Sequence, residues 1–263
     1  MSKRTPKAKI EVTYKVSQPE QLDPLFVDCY PLDGTKDWNA YIAAGPPWHG
    51  AIFKLSQGLA YEYSDWARAQ RAPFLASSRY GVDLWDGFYH YLDIGTDGVK
   101  QAERFMFLME RVGGEKIGTL WAMVDVERGG QRVQLTPQRV TDVTSAFAAR
   151  YYALSGRQAT LYGGELLRAS GVKGLLGCGR SAVALYSREL HGPGETTQQF
   201  LARTGTDTDH LLFWQYDGDG EAYLPNYPSQ APGCGKIDIS AMVMPGGLDA
   251  MRRNFWPNRH PYR

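Results

Sequence analysis

Short apolar runs recur along the chain and predict the strands of a buried sheet. They occur at 26–30, 51–56, 84–91, 119–127, 159–162, 182–187, 211–216 and 237–242, and glycine or polar residues flank them. Runs of this length that are apolar at nearly every position are typical of parallel strands covered on both faces. The pattern therefore predicts eight strands, most of them buried.

Helical patterns separate only some of these runs. Thr96 or Asp97 can cap one helix, and Thr136-Pro137 forms an N-cap and first-turn pair for another that Gly156 ends. Two long connections, 188–210 and 217–235, are polar and rich in Gly, Pro and Thr, and we expect no helix in them. The pattern predicts an α/β fold, an irregular eight-stranded β/α (TIM-like) barrel with few helices.

The ends of the chain differ from its middle. Residues 1–24 form a polar, basic N-terminal extension, and residues 246–263 form a basic, aromatic C-terminal tail. Neither a low-complexity tract nor a convincing linker interrupts 25–245, so we expect one barrel domain there.

Composition narrows the class of protein. The chain has 263 residues, 43% of them hydrophobic, which is enough for a globular core. Its 29 basic and 28 acidic residues give a net charge of +1, which argues against nucleic acid as a partner. No apolar run approaches the roughly 20 residues that span a bilayer. We expect a monomer that binds neither nucleic acid nor membrane.

The three cysteines, Cys29, Cys178 and Cys234, are odd in number and show no metal-ligand spacing. This argues against both a zinc site and a disulfide framework, and we expect no metal and no cofactor. The basic N-terminus has no apolar stretch behind it, so a secretory signal is not expected and synthesis in the cytoplasm is.

Candidate chemistry lies where the fourth run ends, in Val124-Asp125-Val126-Glu127. Active sites of β/α barrels lie at the carboxyl ends of the strands. Side chains alternate along a strand, so Asp125 and Glu127 share a face and lie roughly 7 Å apart by Cα rise. Such a pair suits glycoside cleavage, because one carboxyl group protonates the leaving oxygen while negative charge stabilises the oxocarbenium-like transition state.

Two further aspartates occupy comparable positions. Asp28 lies near the end of the first run and Asp238 lies in the last. The first and last strands of a closed barrel are neighbours, so we expect both to approach Asp125 and Glu127. The alternative for each is a turn or capping aspartate.

Eight segments, in order, carry a resemblance to a known family. They are Val27-Asp28 with Asp37-Trp38 and Ala44-Gly45; Phe53 to Gly58; Gly87-Phe88-Tyr89-His90-Tyr91; Gln101-Ala102 with Phe105; Asp125-Val126-Glu127; Leu161-Tyr162; Trp214-Gln215-Tyr216; and Ile237-Asp238. With these segments the chain resembles the glycoside hydrolase family 25 lysozymes, N-acetylmuramidases that cut peptidoglycan.

The resemblance implies hydrolysis of the β-1,4 bond between N-acetylmuramic acid and N-acetylglucosamine, with retention and without a metal. It implies that Glu127 is the general acid/base and that Asp125 stabilises positive charge, either directly or by orienting the substrate's N-acetyl group. It leaves open whether Asp125 or the N-acetyl group of the substrate is the nucleophile. Asp28 and Asp238 would shape the field of the site. Predicted substrate-binding residues are Tyr30, Lys54, Tyr89, Tyr162, Trp214 and Gln215; the alternative for the aromatic ones is a barrel-lining role.

The chain also departs from the family. The second strand commonly ends in Thr-Glu-Gly, where this chain has Ser56-Gln57-Gly58 and so lacks one acid near the rim. Residues 29–34 replace a more usual Ser/His-rich turn. These departures bear on substrate range more than on the reaction.

Other functions fit less well. A chitinase-like barrel needs Asp-x-Asp-x-Glu, and Met123 stands at the first of these positions. The segment 113–119 lacks the Lys that a phosphate-binding loop needs after its last Gly. A non-catalytic glycan-binding barrel or a viral structural part remains the alternative. For the enzyme, the expected delivery to the cell wall is through a pore, in a virion or by a secretion machine.

Overall fold

The computed structural model describes residues 23–77, 84–113, 122–164, 166, 178–184, 197–203, 211–218, 227–244 and 247–248. The predicted extension 1–24 and tail 246–263 lie almost entirely outside these ranges, so their boundaries stay predictions.

The described strands form one sheet that closes on itself. They are β1 (Leu25–Cys29), β2 (Trp48–Gln57), β3 (Tyr61–Glu62), β4 (Trp85–Tyr91), β5 (Ala122–Asp125), β6 (Ala159–Tyr162), β7 (Cys178–Ala184), β8 (Leu211–Asp217) and β9 (Asp238–Met242). The pairing order is β1-β9-β8-β7-β6-β5-β4-β2, and β1 also pairs with β2, which completes a ring of eight. The short β3 only extends β2 as a hairpin. The predicted irregular barrel is confirmed.

One strand of the ring runs against the others. β9 pairs antiparallel with both β1 and β8, whereas the remaining pairs of the ring are parallel. The expectation of a wholly parallel sheet was therefore wrong for the last strand. An antiparallel β9 enters the barrel at the end where parallel strands leave it, so its first residue, Asp238, lies beside the carboxyl end of β1.

The described helices are α1 (Trp38–Ala43), α2 (Ser64–Ser77), α3 (Gly98–Gly113), α4 (Pro137–Ser155) and α5 (Thr197–Arg203). Asp97 caps α3 by accepting from the backbone N–H groups of Val99 and Lys100. Thr136 caps α4, and Gly156 ends it with a φ of 66°. The predicted caps are confirmed, with Asp97 rather than Thr96 serving α3.

Helix α5 corrects the expectation that 188–210 contains no helix. It has seven residues, too few for a periodic apolar pattern to stand out from the polar residues around it. Tertiary contacts stabilise it instead, because Leu201 is fully buried and the Thr197 hydroxyl donates to Asp23 Oδ2 over 2.9 Å.

Strand alternation divides the apolar residues between two layers. Phe53 and Phe74 meet Trp38 between the sheet and its helices, at ring distances of 5.8 and 5.1 Å. Phe26 and Phe213, 4.9 Å apart, fill the inside of the barrel. Residues that lie an even number of positions from Phe26 or Phe213 on the same strand therefore also point inward. Asp28 and Gln215 are such residues. Within the described ranges, every helix is too short or too polar to cross a bilayer.

Candidate active site

The four predicted carboxyl groups meet at one end of the barrel. Asp125 is the last residue of β5, and Glu127 follows two residues later. Asp28 is the penultimate residue of β1 and lies directly opposite Asp238 in the antiparallel pair. The charges of Glu127, Asp28 and Asp238 all raise the pKa of Asp125, which places the four carboxyl groups in one electrostatic cluster.

Asp28 and Asp238 form the first half of this cluster. Burial raises the pKa of Asp28 well above its usual range, and the charge of Asp238 raises it further. Hydrogen bonds from Gln215 and Ser240 oppose this effect. The environment therefore favours a proton on Asp28.

Asp125 and Glu127 form the second half. Burial raises the pKa of Asp125 well above its usual range; the charge of Glu127 adds to the rise, and Lys54 opposes it. Burial also raises the pKa of Glu127, again against Lys54. Glu127 is half-buried whereas Asp125 is 7% exposed, so Glu127 is the one that a large ligand can reach. The raised pKa of Glu127 favours the protonated form that a general acid needs.

Glu127 lies beyond the strand, on a loop whose backbone is held by side chains. The predicted run was 119–127, but the observed strand ends at Asp125. The last hydrogen bond to β6 is donated by the Val126 N–H to the Tyr162 carbonyl over 2.9 Å. The Tyr91 hydroxyl is shared between the carbonyls of Gly129 and Glu127, the latter at 3.2 Å, and the Gln131 amide donates to the Glu127 carbonyl over 3.1 Å.

The Gln131 side chain connects this loop to the end of β4. Its amide nitrogen donates to the Leu92 carbonyl over 2.7 Å, and its amide oxygen accepts from the Ile94 N–H over 2.9 Å. The orientation of the amide is fixed, because the carbonyls require a donor and the N–H requires an acceptor. The loop that carries Glu127 is thus fastened to the neighbouring strand at several points.

A second network runs across the inside of the barrel. The Tyr162 hydroxyl donates to Gln215 Oε1, and Gln215 Nε2 donates to Asp28 Oδ2 over 3.2 Å. Gln215 is 1% exposed, so its amide is committed to holding Asp28 and Tyr162. Its predicted contact with the sugar, like that of Tyr162, stays a prediction.

The predicted residues Tyr30, Lys54 and Tyr89 lie beside the carboxyl cluster. Lys54 pairs in register with Tyr89, and its Nζ lies 4.6 Å from the ring centre of Tyr30. The charges of Asp125, Asp28 and Asp238 add to the rise in the pKa of Tyr89 that its burial causes. The structure therefore brings these three side chains to the site.

Trp214 is the predicted site residue that lies elsewhere. It is fully buried, and its ring packs on Tyr216 and Tyr227 at 5.7 and 5.6 Å. Gln215 points inward like Phe213, so its neighbour Trp214 must point to the outer face of the sheet. The placement of Trp214 in a sugar-binding pocket is therefore corrected.

Sequence reasoning overlooked Tyr91 and Gln131. Tyr91 shares the inward alternation of Tyr89 and lies nearer the end of β4, so the pattern of that strand could have identified it. No such signal marks Gln131, which lies in a polar loop.

Among the side chains that the structure describes, no group of three or more His, Cys, Asp and Glu is arranged to hold a metal ion.

A half-buried glutamate beside a buried aspartate, at the strand ends of a β/α barrel, defines a candidate glycoside hydrolase site. Comparison with protein families agrees: the model of the family described as glycosyl hydrolases family 25 matches residues 27–223. The chain belongs to this family, and it is a glycoside hydrolase. The match includes Asp28, Asp125 and Glu127 and ends before Asp238.

Solved structures share the fold. The bacterial lysozyme of Streptomyces coelicolor has a TM-score of 0.62 at 19% identity, covering 87% of this chain and 94% of its own. A family 25 glycosyl hydrolase from Bacillus anthracis has a TM-score of 0.61 at 17% identity, covering 90% and 98%. A family 25 lysozyme from Aspergillus fumigatus has a TM-score of 0.60 at 18% identity, covering 87% and 97%. No curated protein matches the chain by sequence.

Proposed function

We propose that this glycoside hydrolase is a lysozyme that cuts the β-1,4 bond between N-acetylmuramic acid and N-acetylglucosamine in peptidoglycan, with net retention. The observation that carries the proposal is the meeting of Asp28, Asp125, Glu127 and Asp238 at the carboxyl end of one barrel. The family match supports it, as do the relatives of the same fold that are named lysozymes.

Glu127 is the proton donor in this proposal. Its half-exposed side chain reaches the ligand, and burial raises its pKa, which favours the protonated carboxyl group that a general acid needs. The proton passes to the glycosidic oxygen as the bond to the anomeric carbon breaks. The resulting carboxylate then accepts a proton from the water that completes hydrolysis.

In the proposed reaction the Asp125–Glu127 pair shares one proton. That proton lies on Glu127 in the reactive state, so Asp125 supplies negative charge at the anomeric carbon. Its Oδ1 is buried and, among the described residues, has no hydrogen-bond partner. A carboxylate oxygen in this state can stabilise the oxocarbenium-like transition state directly, or accept the N–H of the substrate's N-acetyl group. In the second case the acetyl oxygen attacks the anomeric carbon, and Asp125 holds it in place. In either route a nucleophile, Asp125 itself or the acetyl oxygen, bonds to the anomeric carbon as the glycosidic bond breaks. Water then displaces it, and the two successive inversions give net retention.

Asp28 and Asp238 set the field around this pair. The proton that burial favours on Asp28 limits the negative charge beside Asp125, and Gln215 fixes the orientation of the Asp28 carboxyl group. Tyr30 and Tyr89 are positioned to contact the sugar from the side of β1 and β4.

The substrate lies in the cell wall, so the enzyme acts outside the cytoplasm. Release by a phage through a membrane pore, transport in a virion or export by a secretion machine would each bring it to the wall.

The test is product analysis on defined peptidoglycan. We expect the purified protein to lower the turbidity of exposed sacculi and to release fragments whose reducing ends, by mass spectrometry, are N-acetylmuramic acid. Nuclear magnetic resonance on the first products should show the β-anomer, as retention requires.

Each other outcome has a distinct meaning. Reducing ends of N-acetylglucosamine would make the enzyme a glucosaminidase, and an initial α-anomer would contradict retention. Binding to sacculi without new reducing ends would favour the non-catalytic glycan-binding barrel and overturn the proposal.

A further inference from the structure

Lys54 is a buried cation inside an acidic site. It lies on β2, is 7% exposed and points into the barrel beside Tyr89. Its Nζ faces a cage of four tyrosine rings at centroid distances of 4.6, 5.2, 5.6 and 5.8 Å, formed by Tyr30, Tyr91, Tyr63 and Tyr89. Rings at this range attract an ammonium group through their negative faces, so the cage restricts where the charge lies.

A hydrogen bond fixes the ammonium group further. Lys54 Nζ donates to Gln57 Oε1 over 3.1 Å, and the two residues lie on the same strand. A carboxylate in place of the Gln57 amide would pair with Lys54 and offset its charge, whereas the neutral amide holds the ammonium group without doing so.

The tyrosine cage places Lys54 next to the two catalytic carboxyl groups. The cage residue Tyr91 pairs in register with Asp125, and the Tyr91 hydroxyl lies 3.2 Å from the Glu127 carbonyl oxygen. The charge of Lys54 lowers the pKa of Asp125 and that of Glu127, in both cases against the effect of burial. In return, Asp125, Glu127 and Asp33 favour the charged form of Lys54 against the lowering of its pKa by burial. The titratable and charged groups around it are Tyr30, Asp33, Tyr63, Tyr89, His90, Tyr91, Asp125 and Glu127.

We propose that Lys54 is a positioning residue that sets the ionisation of the Asp125–Glu127 pair, and that Gln57 leaves the charge of Lys54 available for this task. The inference rests on the proposed function, because it concerns the same two carboxyl groups. Lys54 acts through them and does not contact the bond that breaks.

The proposal fixes the direction of a pH effect. Activity requires one proton on the pair, so its pH profile rises with the first ionisation and falls with the second. A nearby positive charge lowers both pKa values, and its removal raises both. The whole profile should then move to higher pH by about one unit, the size expected for a nearby unit charge partly screened by solvent.

Two variants on β2 test this direction. Lys54→Met removes the charge and keeps a long apolar side chain within the tyrosine cage. Gln57→Glu keeps the shape of the side chain and adds a carboxylate next to the ammonium group. Both should move the pH profile of kcat/KM on defined peptidoglycan towards higher pH. Lys100→Met is the matched control, because Lys100 is exposed on α3, and it should leave the profile unchanged.

A second measurement is independent of activity. The carboxyl carbons of isotope-labelled aspartate and glutamate can be titrated by nuclear magnetic resonance, with the Glu127 signal assigned from Glu127→Gln. The pKa of Glu127 should rise in Lys54→Met and Gln57→Glu. If Lys54→Met does not fold, Gln57→Glu still provides the test in both measurements.

The two proposals fail in different ways. If the wild type has no hydrolytic activity but the pKa of Glu127 still rises in the two variants, the proposed function is overturned and the role of Lys54 stands. An active wild type with unmoved profiles and carboxyl signals in folded variants would overturn the role of Lys54 alone. A profile that moves equally in Lys100→Met would also overturn it.

Discussion

Replacement of Gln131 by leucine should damage both stability and catalysis, because this one amide fastens the loop that carries Glu127. The substitution removes the bonds from Nε2 to the carbonyls of Leu92 and Glu127, and it leaves the Ile94 N–H without its acceptor. Each hydrogen bond contributes about 1 kcal/mol net, so the three together predict a loss of about 2–3 kcal/mol for a side chain that is partly exposed.

The catalytic effect has a separate cause. Without Gln131, the Glu127 backbone keeps only the hydrogen bond from Tyr91 among those described. A displacement of the acid by less than an ångström lowers kcat by roughly tenfold to a hundredfold, with little change in binding. The assay is kcat and KM on defined peptidoglycan well below the melting temperature, together with urea denaturation.

A matched control separates this effect from a general loss of glutamine. Gln138→Leu makes the same change on the exposed surface of α4, where the amide donates to Asp142 over 2.7 Å and to no other described residue. Its free energy of unfolding should change by less than about 0.5 kcal/mol. If Gln131→Leu has the same free energy of unfolding and the same kcat as Gln138→Leu, the reasoning about the Glu127 loop is refuted.

Two further predictions concern the scaffold. His90 is fully buried, and burial lowers its pKa to about 4. The folded state therefore resists protonation, while the unfolded state accepts a proton below about pH 6.5. Between pH 7 and pH 4, the free energy of unfolding of the wild type, measured by urea denaturation, should fall by about 3 kcal/mol relative to that of His90→Gln. A difference between the two proteins that does not change with pH would contradict this. A Cβ at Gly98 would lie 2.3 Å from the Val143 carbonyl oxygen, whereas one at Gly129 would meet nothing within 4 Å. Gly98→Ala should therefore cost about 1–3 kcal/mol in the same measurement and Gly129→Ala almost nothing, and equal values would contradict close packing of α3 on α4.

The barrel was predictable because its strands are short, apolar and flanked by polar residues. Ala159–Tyr162 was predicted with its observed bounds, and the other strands differ by a few residues at their ends. The direction of a strand is harder to predict, because an apolar run does not indicate whether the neighbouring strands are parallel to it. The segment Ile237 to Met242 therefore did not predict that β9 is antiparallel. Helix α5 escaped because tertiary contacts, rather than its own sequence, stabilise it.

The candidate site was predictable where a residue ends a strand. Asp28 and Asp125 met this condition, and the family resemblance supplied the role of Glu127. The error at Trp214 has a physical cause: adjacent residues of a strand point to opposite faces, so Trp214 and Gln215 cannot both line the barrel. The sequence does not say which of them points inward. The partners of Glu127 were hidden for another reason, since Gln131 acts from a loop whose path depends on the tertiary fold.

The central claim is that Glu127 transfers the proton that breaks the glycosidic bond, and the most direct measurement compares Glu127→Gln with Glu110→Gln. Glu110 lies exposed on α3, so its substitution is the matched control. The readout is the release of N-acetylmuramic acid reducing ends from defined peptidoglycan. The activity of Glu127→Gln should fall by at least about a hundredfold. Its melting temperature and its binding to sacculi should stay near those of the wild type. Glu110→Gln should match the wild type in all three. A folded Glu127→Gln protein that still releases these ends at the wild-type rate would contradict the account.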